Sequence, residues 1–192
     1  MAAQMINPIF FFILVIFVTS FSSSPSQISA AAEDYHSFCQ KTNQTQICIQ
    51  AIEAFTGDPK LKADVPGLLQ ILKVRALAFL TQTGTNFGDA IRSKPPADVL
   101  GRLTLCQTKF EEAANQYLSP LDFRAITPEQ YKKYNDQVGF ALLDVIDCIS
   151  NFNRPPPVQN PARILTQGTN DALVLLVEGV NIYKCQKYTR CP

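Results

Sequence analysis

The chain has 192 residues and is close to neutral, with 17 Lys and Arg against 16 Asp and Glu and a single histidine. That balance excludes a function driven by attraction to polyanions, so nucleic acid is not an expected partner.

Residues 1–32 carry no charged side chain. Pro8 to Phe21 is an apolar run of signal-peptide length, too short for an ordinary membrane span. The basic start of such a leader is reduced here to the amino terminus, and a membrane anchor is the alternative. Ala30-Ala31-Ala32 offers a small-x-small cleavage site, so removal near Ala32 is expected, with no membrane association afterwards. About 160 residues remain, enough for one domain with a real core. Six cysteines behind such a leader imply an oxidising compartment and a disulfide framework.

Asp34 to Lys41 and Ile47 to Phe55 read as two short helices about a polar turn, Thr42-Asn43-Gln44-Thr45. Helices this short are marginal alone. A bond between Cys39 and Cys48 would close about ten residues, worth about 2.7 kcal/mol by loop-closure entropy. Asn43-Gln44-Thr45 is also the sole glycosylation sequon after residue 32. Gly57-Asp58-Pro59 ends this hairpin. A long helix is expected from Asp64 as N-cap, with Pro66 in its first turn and an apolar stripe of Val65, Leu69, Leu72, Ala76, Phe79 and Thr83. Gly84 and Gly88 should bend or fray its far end, and Ser93-Lys94-Pro95-Pro96 breaks it.

Two helices follow. Val99, Leu103, Cys106, Phe110, Ala113 and Tyr117 make one stripe. Tyr131, Tyr134, Val138, Ala141, Val145, Cys148 and Phe152 make the next. Between them, Thr127-Pro128-Glu129-Gln130 has the form of a capping box with proline at the first helical position. A bond between the two buried cysteines would close about 43 residues, worth about 4 kcal/mol in the same terms. After a loop with three prolines, Asn160-Pro161 starts the last helix. Leu165, Gly168, Ala172, Leu175, Gly179 and Tyr183 mark one face, and Leu173, Val174, Leu176, Val177 and Val180 widen it. This helix is therefore expected to be the most buried. The reading is all-α: a clamped helical hairpin over 33–57, an up-and-down four-helix bundle over 60–184 and a tail over 185–192, in one domain from 33 to 192.

Six cysteines allow fifteen pairings. The simplest is sequential: Cys39–Cys48, Cys106–Cys148 and Cys185–Cys191. A zinc site lacks support, because no C-x-x-C pair occurs and His36 has no matching ligand pattern, so no metal or cofactor is expected. His36 reads as an exposed surface residue. Glu111-Glu112 and Asp144/Asp147 are close carboxylate sets and read as solvated faces. No nucleophile elbow, zincin helix, P-loop or dinucleotide fingerprint is present, so an enzyme is the weakest class.

Phe38-Cys39-x8-Cys48-Ile49-Gln50-Ala51, Leu103-Thr104-Leu105-Cys106 and Ala141-Leu142-Leu143-Asp144-Val145-Ile146-Asp147-Cys148, with the closing hydrophobic helix, resemble the plant invertase and pectin methylesterase inhibitor family. The resemblance spans Phe38 to about Lys184. It implies the pairings Cys39–Cys48 and Cys106–Cys148. It also implies a monomeric, secreted cell-wall protein that blocks the substrate cleft of a carbohydrate-active enzyme in a one-to-one non-covalent complex. Invertase inhibitors of the family carry Pro-Lys-Phe in the turn between the two stapled helices. Here that turn reads Ile126-Thr127-Pro128-Glu129-Gln130-Tyr131, with glutamate in the lysine position. The carboxylates of an invertase would repel it. The expected target is therefore pectin methylesterase, with acid invertase as the alternative and a non-inhibitory secreted binding module as a third reading. Thr127, Glu129, Tyr131 and Lys132 are the candidate contact residues. Cys185 and Cys191 extend the family's four-cysteine pattern and are expected to clamp the tail, a free thiol or an intermolecular bridge being the alternatives.

Overall fold

A computed structural model describes residues 35–187. The expected leader and its cleavage site, together with Cys191 and Arg190, lie outside the described residues. Residues 35–39 form α1 and Thr45–Glu53 form α2. A 3-10 turn, Pro59–Lys62, leads into α3, Val65–Arg92. Next come α4, Ala97–Glu112, which runs on as a π-helical turn through Ala113–Leu118, and a 3-10 turn at Phe123–Ala125. The chain closes with α5, Pro128–Asn153, and α6, Arg163–Lys187. No strand occurs among the described residues, and none of their helices is long and apolar enough to cross a membrane.

Each long helix begins where local chemistry dictates. Asp64, in extended backbone, accepts from the Gly67 N–H at 2.8 Å, and Pro66 occupies the first turn, where no amide donor is needed. Thr127 and Gln130 form the reciprocal capping box at the head of α5. Asn160 accepts from the Ala162 amide at 2.8 Å and donates to the Thr166 hydroxyl, so α6 starts at Arg163, slightly beyond the expected Asn160-Pro161 start. Within the hairpin, α1 ends at Cys39 and α2 starts at Thr45, two residues before the expected Ile47. The Thr42 hydroxyl donates to the Cys39 carbonyl at 2.8 Å and closes the first helix early.

The four long helices pack in the cyclic order α3–α4–α5–α6, with α6 returning to α3. The hairpin lies on α3, and its Phe38 ring reaches α6 at Gly179. A β-carbon at Gly179 would sit 2.7 Å from Leu69 Cδ2 and 3.1 Å from the Phe38 ring, so glycine is what lets these elements close. Two expectations change here. The far end of α3 does not fray: Gly84 and Gly88 are buried and the helix runs on to Arg92. Nor is α6 the most buried helix: Val174 and Val177 are only partly covered, and Ile164 is 87% exposed. The central place belongs to α3, which touches α4, α6, α2 and both 3-10 turns.

Two disulfides follow the expected pattern, Cys39–Cys48 with Cα atoms 5.5 Å apart and Cys106–Cys148 at 5.0 Å. Cys185 is also disulfide-bonded. Beside Cys106, Arg102 donates from Nη1 to the carbonyls of Asn151 at 2.8 Å and Arg154 at 3.0 Å, and from Nη2 to Pro156 at 2.9 Å. One guanidinium thus caps the C-terminus of α5, where positive charge suits the helix dipole, and ties down the proline loop.

Replacing Cys106 and Cys148 together by alanine is expected to cost about 4 kcal/mol in denaturant unfolding, against about 2.7 for the Cys39–Cys48 pair. Equal losses would show that loop length does not govern the two bonds. Arg102→Met is expected to cost roughly 2 kcal/mol, since hydrogen bonds from a charged donor are worth about 1.5–3. Hydrogen exchange should then quicken at residues 152–158 and not in α3; a uniform change would overturn the capping role.

Candidate functional site

The segment from Ser119 to Lys132 joins α4 to α5 and carries the four candidate contact residues. Its backbone is held from beneath. Lys73 of α3, only 7% exposed, donates from Nζ to the Ser119 carbonyl at 3.0 Å and to that of Leu121. Gln70, one turn earlier, accepts from the Phe123 amide at 3.2 Å. The Phe123 ring is fully buried and meets Tyr134 edge-on at 5.4 Å, and Tyr183 of α6 donates to the Ile126 carbonyl at 3.3 Å. Three helices therefore fix this connection, and they supply partners for the Ser119, Leu121 and Ile126 carbonyls and the Phe123 amide. Burial pushes the Lys73 ammonium below its ordinary pKa.

The four candidate contact residues divide. Thr127, Glu129 and Lys132 are exposed. Thr127 closes the capping box, its amide donating to Gln130 Oε1 at 3.1 Å. The Glu129 carboxyl is held below the usual carboxylate range, first by its own backbone N–H and then by the Thr127 hydroxyl. Tyr131 turns inward instead. It is half-buried, its hydroxyl donates to Asn181 Oδ1 at 2.9 Å, and the Lys184 ammonium lies 5.5 Å over its ring. Beside them, Asp122 folds onto Arg124, accepting from its backbone amide and Nε at 3.1 Å, and this pairing holds the Asp122 carboxyl low.

Two features of this region escaped the sequence reading. First, Phe140, Leu143 and Ile146 of α5 are 51%, 55% and 40% exposed. They form an oblique apolar band across the solvent side of α5, among exposed Lys132, Lys133, Asp136 and Asp147. The Tyr117 ring from the π turn packs 5.7 Å from Phe140 and extends it. Second, Asp144 is not part of a solvated face. It is buried and accepts from Lys109 Nζ at 2.8 Å, while Glu112 lies 3.6 Å from the same ammonium; Asp147 alone of the pair faces water. The bond to Asp144 raises the Lys109 pKa. Each of these charged groups had left a mark: Lys73, Arg102, Lys109 and Asp144 all fall three or four residues from members of the apolar stripes of their helices.

His36, expected as an exposed surface residue, is half-buried and stacked on Tyr35 at 4.5 Å. Asn43 is exposed as expected, but both its donors are engaged: the backbone amide donates to Glu178 Oε2 at 3.1 Å and Nδ2 to Oε1 at 2.7 Å. Among the described residues no three His, Cys, Asp or Glu side chains gather as metal ligands would.

No family model matches the chain, and no curated protein matches its sequence. Solved structures do. The chain is similar to a mutant form of a pectin methylesterase inhibitor from Arabidopsis, with a TM-score of 0.58 at 15% identity over 75% of this chain and 93% of that one. It is likewise similar to a pectin methylesterase inhibitor from Arabidopsis thaliana, with a TM-score of 0.54 at 16% identity over 78% of this chain and 95% of that one. At such identities the likeness is one of fold: the chain has the all-helical inhibitor architecture.

Lys73→Met would leave two carbonyls unpaired and is expected to cost roughly 2 kcal/mol, with faster hydrogen exchange confined to residues 119–126. The pH dependence is a second readout. Because the folded state lowers the Lys73 pKa, the unfolded chain binds more protons in the window just below 10.5. Unfolding free energy should therefore climb with pH through that window in the wild type relative to Lys73→Met. A flat difference would overturn the assignment.

Proposed function

We propose that this protein is a secreted inhibitor of pectin methylesterase, acting by covering the substrate cleft rather than by chemistry of its own. The observation that carries the reading is the fold shared with two pectin methylesterase inhibitors over nearly their whole length. The disulfide framework accords with an extracellular setting.

The contact face we assign is the outer side of α5 with the capped turn before it. The band of Phe140, Leu143 and Ile146 supplies desolvation at its centre, and Thr127, Glu129 and Lys132 supply a polar rim. Tyr131 acts by holding the turn to α6. A face pinned from three helices loses little freedom when it binds, so less of the contact energy is spent on ordering it. Glu129 and Asp122 both keep depressed pKa values, so the charge pattern of the turn persists in a mildly acidic wall. Exposed Glu129 also speaks against the invertase reading, since a site built from carboxylates disfavours it.

Titration into a plant pectin methylesterase and an acid invertase tests this. Esterase activity should fall linearly to a floor at one equivalent while invertase is untouched. Leu143→Asp should weaken inhibition at least tenfold, equivalent to about 1.4 kcal/mol, with Tm unchanged because the side chain is exposed. Glu129→Lys should raise any residual affinity for invertase. Loss of invertase activity alone would reverse the target, and loss of neither would assign a non-inhibitory binding module.

A further inference from the structure

We propose that Asn43 carries an N-linked glycan whose first sugar lies in the groove between the hairpin turn and the C-terminal half of α6; this rests on the extracellular reading above. The groove is open, of about 510 Å³, and Asn43 itself lines it together with Lys41, Glu178, Ile182 and Cys185. The occupant would thus be tethered to the wall of its own site. Asn43-Gln44-Thr45 satisfies the acceptor rule, and the turn is exposed.

Glu178 decides both timing and orientation. In the folded protein its carboxylate takes the Asn43 backbone amide and one hydrogen of Nδ2. A carboxamide so held cannot be drawn into a transferase. Glu178 lies 135 residues further along the chain, however, so the turn is synthesised well before its partner. Attachment therefore precedes the docking of α6. The donor is a lipid-linked oligosaccharide diphosphate. The bond between the anomeric carbon and the phosphate oxygen breaks, a bond from Nδ2 to that carbon forms, and Nδ2 loses one proton as the lipid diphosphate leaves. Nδ2 starts with two hydrogens, so one remains to donate to Glu178 after folding. That bond directs the sugar toward Ile182, a partly covered apolar side chain suited to an acetamido methyl and the apolar face of a pyranose.

The full chain, secreted from a eukaryotic host that adds high-mannose glycans, is analysed by mass spectrometry before and after enzymatic release. We expect carbohydrate on the Asn43 peptide, absent in Asn43→Gln and Thr45→Ala. Secretion without carbohydrate overturns the proposal and leaves the extracellular reading standing; retention in the cytosol overturns both. Protein trimmed to one N-acetylglucosamine is then compared with the same sequence made and oxidatively refolded from bacteria. The trimmed form should show a nuclear Overhauser contact between the acetamido methyl and Ile182, and a Tm higher by about 2–4 °C. Glu178→Ala should keep the glycan and lose the contact. A sugar that tumbles freely, with Tm unchanged, overturns the seating in the groove.

Discussion

The bond between Cys106 and Cys148 sets the register of α4 against α5, and much of the molecule is a consequence of that alignment. The helices run antiparallel, so residue numbers on the two sides change in opposite senses. One turn before Cys106, Arg102 meets the carbonyls at the end of α5. One turn after it, Lys109 meets Asp144. Two turns further, Tyr117 meets Phe140. Slipping the pair by one turn would strand Asp144 without a cation in a buried position, which costs more than the ion pair contributes. Covalent bond, ion pair and helix cap thus specify one arrangement together, and the entropy removed from the unfolded chain favours it.

The other helix pair answers a different need. Four helices in cyclic order leave their connections at the ends, where an irregular backbone has polar groups to satisfy. At the end that carries Thr127 the solution is a set of long side chains from neighbouring helices: Lys73 and Gln70 from α3, and Tyr183 from α6. A buried ammonium is an expensive device, but two carbonyls aimed at it offset the cost of its dehydration. What results is a connection with the rigidity of a helix and the surface shape of a turn.

On the reading proposed above, a polar turn tied to three helices beside an exposed apolar band suits recognition of another folded protein. The band on α5 can bury area without rearrangement, and the charges around it can choose the partner. The small hairpin is tied to the same end of the bundle, through Phe38 against Gly179 and through Asn43 against Glu178. The hairpin and the connection before Thr127 are thus both anchored to long helices.

How much of this could be read from the residues follows from the range of each interaction. Helix positions, the capping box at Thr127, the N-cap at Asp64 and the buried stripes through Cys106 and Cys148 depend on residues three or four apart, and all were legible in the sequence. The unbroken course of α3 through Gly84 and Gly88 was not, because glycine's local penalty is outweighed by packing that sequence spacing does not record. Nor were the roles of Lys73, Arg102 and Asp144, whose partners lie 35 to 54 residues away. Their places beside apolar stripes announced that they would face neighbouring helices, while their partners depended on which helices met and in what register. The division of Thr127, Glu129, Tyr131 and Lys132 has the same origin. All four lie within six residues at the head of α5, and the approach of α6, with Asn181 and Lys184, took Tyr131 inward and left the other three facing out.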